Sequence, residues 1–337
     1  MNNLLDQAPL CVVDVGCAGG IDPTWRHAEC GGAMFFFGFE ASPEQFAKLA
    51  DNSASFHQIA VSNRDGELEF HASGTVGSVS ERPDREQLFG ESFTKVTVQC
   101  RTLISLRAEG VVPSLDVLKI DVEGHELEVL EGAKDLLKNE TVAVKLEFPF
   151  DTSKKGSFVD LHSLLGHAGF RLFGLSYGQD LVGAIEGGDG IYLMSIENIL
   201  EGPRPRQRVI KAFANAICIR QFDYARILVT RATENGIIEE SEARVLRRQS
   251  DRLVALTDIF PFSFGRAAAF AGLLSQLLAG RYARAKSTPK SNRLVPSKRL
   301  FIPINRFFRA KQRLKAARVL DVHRIKYASA SRDDTPR

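Results

Sequence analysis

The chain has 337 residues, 44% apolar and 25% charged, which is enough for a substantial core and, on length alone, for about two domains. Its net charge of +3 hides an asymmetry: residues 281–320 carry thirteen Lys and Arg and no acid, so the remainder carries −10 (+3 less 13). Five cysteines without a CxxC spacing argue against a disulfide framework or a zinc site and favour a reducing, cytoplasmic setting; no apolar run approaches the roughly 18–20 residues of a membrane span, and no secretory leader is visible.

Leu10 to Val15 is a continuous apolar run, the pattern of a strand buried on both faces of a parallel sheet. It ends in Asp14-Val15-Gly16-Cys17-Ala18-Gly19-Gly20, where small residues let a backbone approach a ligand, and Ile21 to Glu29 can begin a helix. A Gly-rich turn between strand and helix is the generic nucleotide-type loop, and equally a plain tight turn. Ala33 to Phe39 reads as the second strand, with Glu40 at its tip, where a carboxylate can accept hydrogen bonds from ribose hydroxyls. Ser42 and Pro43 open a helix with Phe46 and Leu49 inward. Phe56 to Val61 reads as a third strand ending in Ser62, and Asp65-Gly66 as a hairpin signal before Glu67 to Phe70. Ser73 to Glu91 reads as a mobile loop, and Thr94 to Leu103 as a half-exposed strand.

The stretch Asp116 to Ala133, DVLKIDVEGHELEVLEGA, is the centre of the chain. A short apolar run ends at Asp121, breaks at Gly124 and becomes helix-periodic through Leu127, Leu130 and Leu137. Asp121, Glu123 and His125 therefore gather where a strand becomes a helix, at the end of the sheet where α/β proteins bind ligands. Capping of an ordinary turn would place acids there too. A strand over Thr141 to Phe148 with Glu147 near its end, a helix over Phe158 to Ala168, and strands at Phe170 to Leu175 and Gly190 to Ile196 complete a domain near residue 200. The alternation predicts an α/β fold with a mainly parallel, doubly wound sheet.

These motifs, in this order, resemble the FkbM-type methyltransferases: the Asp14-Val15-Gly16 loop, Glu40-Ala41-Ser42-Pro43 with Phe46 and Leu49, Ala60-Val61-Ser62 leading to Asp65-Gly66-Glu67, and above all Leu118 to Ala133. The resemblance covers about residues 10–196. It implies a seven-stranded Rossmann-like methyltransferase sheet, S-adenosylmethionine as cofactor, and methylation of a hydroxyl on a sugar or natural product. Two departures stand out: Ala18 where the family commonly has Asn, and Ile104 after Thr102-Leu103 where it often has Asp.

The cofactor's chemistry matches the residues. N–H groups from Gly16 to Gly20, including Cys17 and Ala18, can hold its carboxylate, and Asp14 can order the loop or receive the ammonium. Glu40 suits the ribose, Val61 and Ser62 the adenine, and Cys17 is a small apolar filler. A carboxylate just before the loop would repel a dinucleotide's phosphates, so Asp14 tilts the choice away from one. Transfer to an alcohol needs an aligned acceptor and removal of a proton. Asp121, which also borders the cofactor, is the expected base. His125 is a second candidate, its pKa lowered by the helix dipole. Glu147 can contact acceptor or cofactor. Carboxylates alone do not establish a metal, and none is assigned.

Residues 201–280 read as a helical accessory region, with a break at Asn235-Gly236, and residues 281–337 as a basic, amphipathic or partly disordered tail. The tail interleaves Phe301, Ile304, Phe307 and Phe308 with Arg and Lys, which suits an anionic membrane surface, with nucleic acid or an acidic partner as weaker alternatives. The expected activity is O-methylation of a saccharide, such as a cell-surface glycan, by a cytoplasmic enzyme sitting at most peripherally on the membrane. The alternatives are methylation of a polyketide-like metabolite, or a non-catalytic module that keeps the fold.

Overall fold

A computed structural model describes residues 9–26, 34–49, 54–72, 77–78, 94–179 and 183–259. Strand β1 (Leu10–Val15) is buried at every position. Parallel to it on one side lie β2 (Met34–Phe39) and then β3 (Ala54–His57). On the other side β8 (Val117–Ile120) and β9 (Ala143–Pro149) continue the parallel run. The hairpin of β10 (Phe170–Gln179) and β11 (Ile185–Met194) closes the sheet, with β11 antiparallel to β9. The order is β10-β11-β9-β8-β1-β2-β3, seven strands, as the doubly wound expectation requires. A continuous apolar strand such as VVDV or VLKI is stable only with both faces covered, which is why β1 and β8 are central.

Four short strands form a second sheet of order β4-β7-β5-β6, from β4 (Ala60–Val61), β5 (Gly66–Ala72), β6 (Gly77–Ser78) and β7 (Thr94–Arg101). Two expectations are corrected here. The run from Phe56 to Val61 is not one strand: it leaves the large sheet after His57 and enters the small one at Ala60. Asp65-Gly66 does not close a hairpin, because β4 and β5 each pair with β7 rather than with one another. Apolar content marked strand for both pieces, but which sheet each joins is a tertiary choice.

The helices are shorter than the sequence pattern predicts at two places. The stretch expected to begin a helix from Ile21 forms α1 (Pro23–Arg26) up to the edge of the described residues, whereas α2 spans only Pro43–Phe46, so that Leu49 lies beyond it and both Phe46 and Leu49 are half-buried; α3 spans Leu103–Ala108. The helix expected through Leu127, Leu130 and Leu137 is two, α4 (Glu126–Glu131) and α5 (Lys134–Asn139). Gly132 separates them because it rests on the Ser62 carbonyl, which a Cβ would overlap. Glycine is also the residue that continues a helix least willingly, proline aside.

Helices α6 (Phe158–His167), α7 (Ile196–Glu201), α8 (Pro205–Cys218), α9 (Phe222–Glu234) and α10 (Glu240–Ile259) follow, and the core does not stop at residue 200. Val209, Phe213, Leu228 and Leu246 join the same buried cluster as Val12, Leu118 and Leu146. Each such side chain stabilises by about 1.5–3 kcal/mol on burial. Three polar ties lock α8 and α9 to the sheet domain: Lys211 Nζ to both Asp116 oxygens at 2.8 and 2.7 Å, Trp25 Nε1 to Asn215 Oδ1 at 2.9 Å, and Tyr224 Oη to the Met194 carbonyl at 2.8 Å. Among the described residues no helix is long and apolar enough to cross a membrane. The mobile loop expected at residues 73–91 lies mostly outside the described residues, and the basic tail wholly so.

Candidate active site

The chain runs from β1 outward to β3 and later returns to β8 on the other flank of β1. The strand order thus reverses between β1 and β8, and the crevice beyond their carboxyl ends is where such sheets bind ligands. The loop Gly16 to Gly20 leaves β1 at this crevice, Glu40 leaves β2, Asp121 leaves β8 and Glu147 ends β9. Four segments spread over about 130 residues of chain converge there.

The loop is held from beneath. Gly16 has φ 77°, and a Cβ there would collide with the Asp121 carbonyl, so only glycine lets the loop lie against β8. The expectation that all the N–H groups from Gly16 to Gly20 are available is corrected. Those of Gly16 and Cys17 point at the Phe39 carbonyl, at 2.9 and 3.3 Å, and that of Gly20 at the Cys17 carbonyl, at 2.8 Å. Among the described residues no backbone carbonyl accepts from Ala18 or Gly19, which form the exposed crest of the turn. Cys17 is buried behind that crest, its thiol pushed up by burial and by the charges of Asp14 and Glu40.

Asp14 is 0% exposed. Its Oδ2 accepts the Asp22 N–H at 2.8 Å, and its Oδ1 lies 3.0 Å from Lys119 Nζ in an ion pair that lacks hydrogen-bond alignment. Of the two roles open to it, these contacts are those of a loop-ordering residue. Burial raises its carboxyl to about 6 against the pull of Lys119. Glu40, 6% exposed, spends Oε1 on the Ser42 N–H at 2.8 Å, and burial raises its pKa as well.

Two charged rows cross the sheet here. Strands β8 and β9 share the pattern Lys-apolar-acid, as Lys119-Ile120-Asp121 and Lys145-Leu146-Glu147, and Lys119 and Lys145 are in register. Side chains two apart share a face. The lysines therefore lie beneath the loop, and the acids stand one step nearer the crevice. Lys145 Nζ bonds Asp22 Oδ2 at 2.6 Å, which secures the loop's far end. The upper row continues through Asp189, opposite Glu147, to Ser176, which donates to Asp189 at 3.1 Å. Asp121 is exposed to the crevice and hydrogen-bonds Glu147. Sequence reasoning missed Lys119 and Lys145. The available signal was a lysine in a strand too apolar to tolerate one on a solvated face.

Glu147 is exposed at its tip, yet the protein packed around it and the carboxylates of Asp121, Glu123 and Asp189 push its acid up to about 8. An acid raised in the folded state lends stability that is complete below its ordinary value of 4.5 and is lost as pH rises through about 8. Glu147→Gln is therefore expected to match wild type near pH 5 and to exceed it by about 1 kcal/mol near pH 9, after discounting for solvent screening. That is roughly 2–4 °C in Tm. A stability difference independent of pH would show that the crowding does not hold a proton.

His125 lies apart from this row. Its Nε2 is 2.9 Å from Ser62 Oγ and its Nδ1 3.5 Å from Glu128 Oε2. Its pKa is lowered, chiefly by burial, against the pull of Glu128 and with Lys155 and Arg64 adding to the effect. Val61 and Ser62 are buried, and the Ser62 carbonyl supports Gly132. Glu126 was also missed: its buried Oε1 accepts the N–H groups of Val122 and Gly124, at 3.1 and 3.2 Å, and so shapes the turn after Asp121. Glu123, at φ 57°, occupies the left-handed region within that turn. Among the described residues no group of His, Cys, Asp and Glu is arranged to hold a metal ion.

The chain is similar to several known methyltransferases. The 2-O-methyltransferase NoeI of Sinorhizobium fredii is 26% identical over 151 residues, covering 40% of this chain and 62% of its own. The hexuronic acid methyltransferase AglP of Haloferax volcanii is 31% identical over 109 residues, 31% of this chain and 43% of its own. The chain thus spans less than two thirds of either relative. A methyltransferase FkbM from Methylobacillus flagellatus superposes with a TM-score of 0.36 at 12% identity, over 55% of this chain and 44% of its own. The model of the methyltransferase FkbM domain matches residues 14–172, from the buried Asp14 to the hairpin strand β10. Those residues, somewhat under half of the chain, are thus similar to the methyltransferase FkbM domain.

Proposed function

We propose that the protein is an S-adenosylmethionine-dependent O-methyltransferase acting on a sugar hydroxyl. The observation that carries this reading is the convergence, at the β1/β8 switch point, of an open loop crest, a buried carboxylate on β2 and an exposed carboxylate on β8. That donor set fits the cofactor. Ala18 and Gly19 would offer N–H groups to its carboxylate, and Glu40 would accept from its ribose hydroxyls. Val61 and Ser62 would form the floor against adenine. Gly16, Cys17, Gly20 and Asp14 act one layer back, by holding the crest in place. When bound, the cofactor supplies an electrophilic methyl group for in-line displacement. Asp121 orients the acceptor hydroxyl and takes its proton, and Glu147, itself protonated at neutral pH, donates a hydrogen bond to Asp121 and holds it in position. His125 steadies Ser62 and, through it, the cofactor side of the crevice.

The saccharide acceptor is supported by the name of AglP, a hexuronic acid methyltransferase, and transfer to oxygen by that of NoeI, a 2-O-methyltransferase. A glycan bound for the cell surface is the finer reading, and the basic residues 281–320 would suit its membrane-linked form. Calorimetric titration with S-adenosylmethionine and S-adenosylhomocysteine tests the cofactor, followed by an acceptor screen over mono- and oligosaccharides that include hexuronic acids. Glu40→Gln keeps an acceptor for the Ser42 N–H and removes the charge. It should weaken cofactor binding by about 1–3 kcal/mol, the scale of a hydrogen bond to a charged group. No binding by folded wild type would end the methyltransferase reading.

A further inference from the structure

Among the buried charges at the site Lys119 is a cation, 8% exposed in a strand that is otherwise Val, Leu and Ile. Burying an ammonium costs several kcal/mol unless its environment compensates. A methionine would fill the same space without that cost. What Lys119 does that an apolar residue cannot is meet three oxygens from two segments. Its Nζ donates to the Gly16 carbonyl at 3.0 Å and lies 3.0 Å from Asp14 Oδ1 and 3.6 Å from Asp121 Oδ2. Burial pulls the ammonium's pKa down, but Asp14 and Asp121 outweigh it and the net shift is upward, so the charge is permanent.

We propose that Lys119 is the positioning residue of this site: one ammonium ties the Gly16 peptide of the cofactor loop to the Asp121 carboxylate, and so holds the methyl-donor and acceptor sides at a single spacing. The proposal rests on the methyltransferase reading and adds to it a residue that touches neither ligand. The Gly16 peptide is gripped from both ends, its N–H by Phe39 and the carbonyl of Gly16 by Lys119. Asp121 is tied to the same loop through its own N–H, which donates to the Val15 carbonyl at 3.0 Å. The backbone thus fixes where Asp121 begins, and Lys119 fixes where its carboxylate ends. Glu40, Glu126 and Glu147 stand near enough to feel the charge of Asp121 and repel it, while Lys119 is the cation paired with this carboxylate among the described residues and so sets its direction.

Lys119→Met in the full chain tests this with S-adenosylhomocysteine as probe, by calorimetry on protein shown to be folded. Affinity should fall by about tenfold or more, the scale of a lost charged hydrogen bond. The substitution strands the buried Asp14 and will lower Tm, so Asp14→Asn with Lys119→Met is the second variant. It should recover most of the Tm and none of the affinity. At saturating cofactor, transfer to the saccharide panel should fall further than the affinity does. Affinity within twofold of wild type in Lys119→Met, or recovery of affinity together with Tm in the double variant, would reduce Lys119 to a structural counter-charge and overturn the proposal. Failure of the wild type to bind the probe would instead strike the methyltransferase reading itself.

Discussion

Asp121→Asn should lower kcat by about 10²–10⁴-fold, the range expected for a positioned general base, while Tm and S-adenosylhomocysteine affinity stay close to wild type. The substitution keeps the shape of the side chain and its ability to hydrogen-bond Glu147. What it removes is the lone pair that would take the acceptor's proton and the charge facing Lys119 at 3.6 Å. Because Asp121 is exposed to the crevice, its backbone contacts with Val15 and Gly16 are unaffected. Single-turnover methyl transfer at saturating cofactor, set beside calorimetry, separates the possible results. Full activity would move the base elsewhere, with Glu147 the next candidate. A parallel loss of affinity and rate would make Asp121 a cofactor ligand first.

Lys211→Met should cost about 3–5 kcal/mol, the usual penalty for removing one partner of a buried ion pair. Lys211 and Asp116 are both nearly inaccessible, and Asp116 also accepts from the Cys11 N–H at 2.8 Å and Ser114 Oγ at 3.0 Å. Without the ammonium, the carboxylate is stranded where α8 meets the start of β1 and β8. Burial already raises its pKa, against the pull of Lys211, so the variant should favour protonated Asp116 and lose less stability at low pH. Urea unfolding at two pH values measures both effects. Lys211→Met with Asp116→Asn should recover a large part of the loss, since an uncharged pair leaves no unpaired charge in the core. A single-variant cost under 1 kcal/mol would mean that α8 is not anchored through this pair.

Much of this protein is local pattern. The buried run before Gly16, the acid at the tip of β2 and the strand-turn-helix of Asp116 to Ala133 are each set by residues a few positions apart, so a period or a turn signal reports them directly. The sheet class, the turn after β1 and the placing of Glu40 and Asp121 at strand ends were therefore legible in the sequence. Tertiary structure alone decided the partners. Lys119 meets Gly16 at a separation of 103 residues, Lys211 meets Asp116 at 95, and Trp25 meets Asn215 at 190. No periodicity encodes such pairs, because they exist only once β8 is in register with β1 and α8 lies across the strands' starts. The same reason governs the break at Gly132, which depends on Ser62 arriving from another sheet, and the division of Phe56 to Val61 between two sheets. Residue type thus told which segments would be buried and where charge would gather, while the register between distant strands determined which charges face one another.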